Sequence, residues 1–172
     1  MIKKVKKTYP IVTIVDKNDK AIGKATYEEM TKHKLIYRGA STFVFNKKGQ
    51  LLVHQRASWF KNYPNAWDFK VGGIVDSGET YKHCALRELK EEFGIKILPH
   101  KLKLVNKEKI FDKKSHCYRK LYTCQYIGKI KVDQHEVQNY KFIDYDKVMT
   151  LTKKNHSPSG LRVFRYFQKW KK

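Results

Sequence analysis

Long apolar runs are missing from this sequence. No stretch approaches the ~18 residues that a membrane-spanning helix needs, and the basic N-terminus lacks the apolar core of a secretory signal. A helical membrane protein is therefore excluded, and a cytoplasmic location is the expectation. Cysteine is scarce as well. Cys84, Cys117 and Cys124 show no metal-ligand spacing and read as reduced thiols in the core or in strands. Acidic residues are few, 16 Asp and Glu against 38 Lys and Arg, for a formal net charge of +22. Arginine is few too, with only 6 of those 38 basic residues. Dedicated phosphate and nucleic-acid sites favour the bidentate fork of arginine. Residues 101–172 carry 19 Lys or Arg against 6 Asp or Glu, but the lysines are scattered and not interleaved with aromatics. The charge thus reads as compositional drift toward lysine, with steering of anionic substrates and nonspecific nucleic-acid affinity as side effects; the alternative is a basic face that attracts phosphates or RNA. Repeats, low-complexity linkers and a composition break are absent, so residues 1–172 read as one domain of unspecified oligomeric state.

What the sequence does contain is concentrated between Gly73 and Ile95. The run reads Gly-x5-Glu-x7-Arg-Glu-Leu-x-Glu-Glu-x-Gly-Ile, filled by Gly73, Glu79, Arg87, Glu88, Leu89, Glu91, Glu92, Gly94 and Ile95. Thr80 is a suitable N-cap and Gly94 a suitable C-terminal stop, which predicts a helix over Thr80 to Phe93. At about 100° per residue, Glu88, Glu91 and Glu92 then share one arc of the helix. Ala85, Leu86, Leu89 and Phe93 fill the neighbouring arc and can pack on a core. Carboxylates this close repel one another, and a hard divalent cation such as Mg²⁺ or Mn²⁺ would offset the repulsion. A surface helix with chance Glu and Lys is the plainer alternative, and the surrounding pattern speaks against it. Ser41 to Phe45 and Leu51 to Gln55 read as a hairpin about Asn46-Lys47-Lys48-Gly49. Asp68 to Val71 reads as a short strand, and Gly72-Gly73 allows close backbone approach. The box therefore sits in a strand–loop–helix setting.

This stretch resembles the signature of the Nudix hydrolases, in full and without a gap. The resemblance implies an α/β fold, a mixed β-sheet sandwiched between α-helices. It also implies Mg²⁺-dependent hydrolysis of a phosphoanhydride bond, in a nucleoside diphosphate linked to another moiety. Glu88, Glu91 and Glu92 are the metal carboxylates it points to, with the carbonyl of Gly72 completing the shell. Glu91, Arg87 and Glu136 are the candidates for the catalytic set. Arg87, at i, i+4 from Glu91, would orient a carboxylate, and Glu79 would pair with Arg87. Many Nudix enzymes take a further Glu from a loop downstream of the box. Glu136, in Asp133-Gln134-His135-Glu136-Val137, is the best-placed residue for that role, the alternative being an ordinary charged loop residue.

Upstream, Ile22-Gly23, Arg38, Asn46 to Val53, Arg56 and Pro64-x-x-Trp67-Asp68 resemble a subgroup related to isopentenyl-diphosphate isomerase, as does Ser157-Pro158-Ser159 near the end. The isomerase residues themselves are replaced. Gly72 stands at the catalytic Cys position, Ile74 at that of a metal-binding His, and Met30 and Tyr37 at those of two more. Protonating an alkene needs a positioned acid, and neither Gly72 nor Ile74 is one. Isomerisation is therefore the weaker alternative, beside a further one, action on or binding to RNA 5′ ends.

The remaining elements are coarser. Ile11 to Val15 and Leu35 to Tyr37 read as strands around a helix over Thr26 to His33. Ile110 to Phe111, Arg119 to Ile127 and Tyr140 to Ile143 read as further strands, and Tyr145 to Leu151 as a short helix. A last helix opens at Ser157 and packs through Leu161, Phe164, Phe167 and Trp170. Trp59, Phe60, Tyr63 and Trp67 are either base-stacking platforms or core, with Trp67 expected under the box loop.

Overall fold

The structure, a computed structural model, describes residues 11–112, 115–151 and 155–171. The side chain of Trp170 lies outside what is described. Val12–Val15 (β1) and Ala21–Ala25 (β2) form an antiparallel hairpin. Asp16 closes it by accepting from the amides of Asn18 and Lys20. Thr26 and Glu29 make a reciprocal capping box that starts α1, Tyr27–Lys32. β3 (Tyr37–Phe45) and β4 (Leu51–Arg56) follow, with the Asn46 carboxamide accepting from the amides of Lys48 and Gln50 at the turn.

The expected hairpin is present, but its strands pair only at Phe45↔Leu51. They then part into different neighbourhoods. β3 runs parallel to β7 (His116–Gln125), from Tyr37↔Cys117 to Phe45↔Gln125. β6 (Lys103–Phe111) borders β7 antiparallel. β4 pairs antiparallel with the two-residue β5 (Trp67–Asp68) and with β8 (Val137–Ile143). The parting frees the second edge of β3, and the box loop takes it. Thr42 and Val71 exchange amide bonds of 2.7 and 3.0 Å, and the Ala40 amide donates to the Gly73 carbonyl at 3.0 Å.

Helix α2 (Tyr81–Phe93) covers one face of the sheet. Thr80 caps it by accepting from the His83 amide, and Gly94 ends it in the left-handed conformation. Cys84, Ala85, Leu89 and Phe93 are buried with Ala40, Val44, Tyr122 and Cys124 in one cluster. Leu89 and Phe93 each contribute about 1.5–3 kcal/mol through that burial. The opposite face carries a second cluster, in which Phe43, Phe69 and Leu121 meet α3 (Val148–Leu151) and α4 (Pro158–Lys171) through Val148, Phe164 and Phe167. A mixed sheet between helices is thus the architecture, as the box implied.

Several boundaries differ from the sequence reading. β2 was not foreseen: four of its five residues are exposed, so it carries no apolar alternation. β6 extends back to Lys103 as a largely exposed edge strand, held by its pairing with β7. Trp67 does not lie under the box loop. It packs on the second cluster, where its amide donates to the Asn155 carbonyl and its carbonyl accepts from the Ser157 amide. All three cysteines are buried and free.

Candidate functional site on the acidic face of the central helix

The box loop and α2 meet through two glycines. Gly72 has φ 150°, and a Cβ there would stand 2.1 Å from the Ala40 carbonyl oxygen. A Cβ on Gly73 would stand 2.2 Å from Glu88 Oε1. Only glycine lets the loop lie this close to both β3 and the helix. The carbonyl of Gly72 accepts no hydrogen bond from any described residue, whereas that of Gly73 is engaged by Ala40.

Glu88 and Glu92 stand one turn apart on α2, and each carboxyl group acts on the other. Burial raises both above the ordinary carboxylate range, and Glu92 is pushed far above it by burial and by the nearby charges of Glu88 and Glu136. Two carboxyl groups held this close where water is largely excluded mark a place where a cation would be at home.

Glu136 is brought to the same place by main-chain bonds. The Asp133 amide donates to the Glu92 carbonyl at 2.9 Å, and the Lys131 amide to the Phe93 carbonyl at 3.0 Å. The Glu136 amide donates to the Asp133 carbonyl, and its own carbonyl accepts from Ala57 on the β4 side. The loop is thereby laid against the last turn of α2, and the charge of Glu136 acts on both Glu88 and Glu92.

Arg87 links the carboxylates along the rim. It grips Glu79 with two bonds, Nε to Oε1 at 3.0 Å and a terminal nitrogen to Oε2 at 3.1 Å. It also donates to the Ile74 carbonyl, to Glu88 at 2.8 Å and to Glu91 at 3.1 Å. These partners keep the guanidinium firmly protonated despite the cost of burial. Glu91 differs from its neighbours: its side chain is 57% exposed and engages Arg87. The structure thus gathers Glu88, Glu92, Glu136 and Gly72, and sets Glu91 at the outer edge with Arg87. Among the described residues, no three His, Cys, Asp or Glu side chains form a ready-made metal cage. The donor set, two apposed carboxyl groups with a third nearby and an uncommitted carbonyl, still fits a hard oxygen-seeking divalent ion.

Two features escaped the sequence. One is a buried polar row of His54, Asp68 and Lys70 beside Glu92. Its only signal was polar residues at alternate positions, Asp68 and Lys70, in a run otherwise read as strand. The other concerns the lysines. Scattered in sequence, Lys107, Lys109 and Lys120 come together across β6 and β7, with their ammonium groups over the rings of Tyr118, Phe111 and Tyr81. The positions that carry metal-binding His in the isomerases also converge. Met30, Tyr37 and Ile74 lie in a third, apolar cluster.

Comparison with known proteins agrees with this geometry. Over 86 residues the chain is 38% identical to an uncharacterized Nudix hydrolase of Pseudomonas aeruginosa, covering 50% of this chain and 51% of that protein. The chain spans about half the length of the Nudix hydrolases it matches in this way. It is 28% identical over 158 residues to isopentenyl-diphosphate Delta-isomerase 2 of Photorhabdus laumondii, covering 90% of this chain and 87% of that enzyme. A crystal structure from Deinococcus radiodurans superposes with a TM-score of 0.75 at 21% identity, covering 91% of this chain and 99% of that one. No helix among the described residues is long and apolar enough to cross a membrane. The NUDIX domain model matches residues 36–167, and with an unbroken box on the helix that carries Glu88 and Glu92, this chain belongs to the Nudix family.

Proposed function

We propose that the chain is a Mg²⁺-dependent pyrophosphohydrolase, with Mn²⁺ as a substitute. It would cleave the phosphoanhydride of a nucleoside diphosphate linked to another moiety. The observation that carries this reading is the enclosed pair Glu88–Glu92, with Glu88 packed directly against Gly73. Glu88 and Glu92 would hold the ion with the Gly72 carbonyl, and Glu91 would join by turning away from Arg87. A bound ion supplies charge neutralisation for the phosphoryl oxygens and acidifies a water. Arg87 orients Glu88 and Glu91, and Glu136 takes the proton from the attacking water. Water adds at one phosphorus, the bridging P–O bond breaks, and two phosphomonoesters leave. The buried free thiols support a cytoplasmic, reducing setting.

Isomerisation finds no support in the local chemistry. The cluster of Met30, Tyr37 and Ile74 offers a single hydroxyl, which is bonded to Ser115 at 3.0 Å. Hydrolysis at RNA 5′ ends is favoured by one observation, the lysine–aromatic patch across β6 and β7. The deciding experiment is turnover of nucleotides, dinucleoside polyphosphates, nucleotide sugars, coenzymes and 5′-triphosphate RNA with Mg²⁺. Hydrolysis of at least one small member that is lost without metal is the expected result; metal-independent turnover would overturn the reading.

A further inference from the structure

Lys70 sits two residues before Gly72 and is 8% exposed. A buried ammonium is costly unless its three N–H groups are used. Here they are not. Its nearest carboxylate oxygen, Asp68 Oδ2, is 3.8 Å away, too far for a hydrogen bond, and Lys70 donates none to any described residue.

Asp68 is also already engaged. Oδ1 accepts from the Phe69 amide and Oδ2 from the Ser157 hydroxyl, each at 2.8 Å. Gly160 at the start of α4 packs so closely that a Cβ there would lie 2.3 Å from Asp68 Oδ1. Asp68 is thus anchored to the tail helix and cannot swing toward the lysine. The charges of Glu92, Arg119 and Arg56 also act on Lys70. Arg119 donates to Ser41 Oγ at 2.9 Å, but its Nε is buried without a partner, as is that of Arg56. Arg119 has the buried carboxylate of Glu108 across from it on β6, and Arg56 donates to the Asn62 carbonyl and lies over Phe60, so Lys70 is the cation of the three that lacks any hydrogen-bonded partner among the described residues.

We infer that Lys70, flanked by Arg119, receives the non-bridging oxygens of a substrate phosphoryl group, so that the diphosphate is held between this cationic wall and the Glu88–Glu92 pair. This subsite rests on the reading of that pair as the metal centre. The ligand class is a diphosphate with at least two adjacent phosphoryl groups, one for each wall. An ammonium fixed at its stem by burial and free at its tip suits that task, because its position is set before the anion arrives.

The test uses imidodiphosphate, a non-hydrolysable diphosphate, with Mn²⁺ and calorimetry on the full chain. Lys70→Met keeps the stem and removes the charge. Imidodiphosphate affinity should fall about tenfold or more, the loss expected for a charge-assisted hydrogen bond. Mn²⁺ affinity measured alone should hold or improve, since a cation near Glu92 is gone. Lys70→Arg should restore anion binding to within about threefold of wild type. A purely structural lysine would instead lower both affinities together with the melting temperature, and that result overturns the subsite, as does unchanged imidodiphosphate affinity. If Lys70→Met does not fold, Lys70→Gln against Lys70→Arg makes the same comparison. Failure of wild-type protein to bind Mn²⁺ would instead strike the metal reading itself.

Discussion

The Glu88 carboxylate occupies the space that a side chain on Gly73 would need, with Oε1 2.2 Å from the ideal Cβ position. Gly73→Ala therefore forces Glu88 out of its bond with Arg87 and away from Glu92 while leaving the helix sequence intact. We expect turnover to fall by about 10²-fold or more, or about 2.7 kcal/mol of transition-state stabilisation. Steady-state kinetics and Mn²⁺ titration check it; normal metal affinity in the Gly73→Ala enzyme would show that Glu88 is not a ligand.

Glu88→Gln and Glu92→Gln keep shape and remove charge. Each should cost about 10²-fold or more in turnover, through weaker metal binding. Glu91→Gln should cost less, because its exposed carboxylate can be replaced by water. Rates measured across a Mg²⁺ series decide this, and full turnover by Glu92→Gln at saturating Mg²⁺ would remove Glu92 from the site.

His54 gives the fold a pH dependence of its own. Burial lowers its pKa from the ordinary 6.5 to about 4, its Nδ1 has no hydrogen-bond partner, and its ring meets Phe93 edge-on at 5.2 Å. Between those values the unfolded chain binds a proton that the folded chain does not. His54 therefore adds stability above pH 6.5, lost progressively as pH falls toward 4, by about 3 kcal/mol in all. Glu108, raised by burial from 4.5 to about 7, acts in the opposite direction: its contribution is complete below 4.5 and lost as pH rises through 7. Denaturant unfolding across this range should show the acid-side loss grow when Glu108→Gln removes the opposing group. It should shrink in His54→Phe, and an unchanged profile in His54→Phe would discount the histidine.

Isopentenyl and dimethylallyl diphosphates should not be interconverted. The place where isomerase-type histidines would meet is filled by Met30 and Ile74 beside Tyr37. Proton exchange into either substrate, followed by NMR with Mg²⁺ or Mn²⁺, is the measurement. Metal-dependent exchange above a protein-free control would reverse the ranking of the two chemistries.

Lys109 and Lys120 have their ammonium groups over aromatic rings and form no ion pair with any described acidic side chain. Changing both to Gln should weaken nonspecific RNA and DNA binding and flatten its salt dependence. Hydrolysis of small substrates should stay near normal. Loss of turnover on 5′-triphosphate RNA alone would make this patch part of an RNA site.

The helix and its acidic face were legible because every cue for α2 is local. Thr80, Gly94 and the 3.6-residue spacing all lie within one short segment. The parting of β3 from β4 was not legible, since the hairpin signal at Asn46 to Gly49 describes the turn and says nothing of the strands beyond it. Only the long-range pairing of β3 with β7 decides that. Lys70 is legible only in part: its spacing from Asp68 is local, whereas the hold of Ser157 on Asp68 and the charge of Glu92 on Lys70 depend on segments far away in the sequence.

Glu136 reaches the acidic pair through the backbone of residues 131–137, whose amides are spent on the carbonyls of Glu92, Phe93 and Asp133. Inheritance should therefore act on this loop by length more than by letter. Exchanges at Gln134 or His135, both exposed, leave those amides in place, whereas deleting one residue shifts the register of every bond and swings Glu136 away from α2. A lineage could redecorate this loop freely and still lose the placement of Glu136 to a single lost codon.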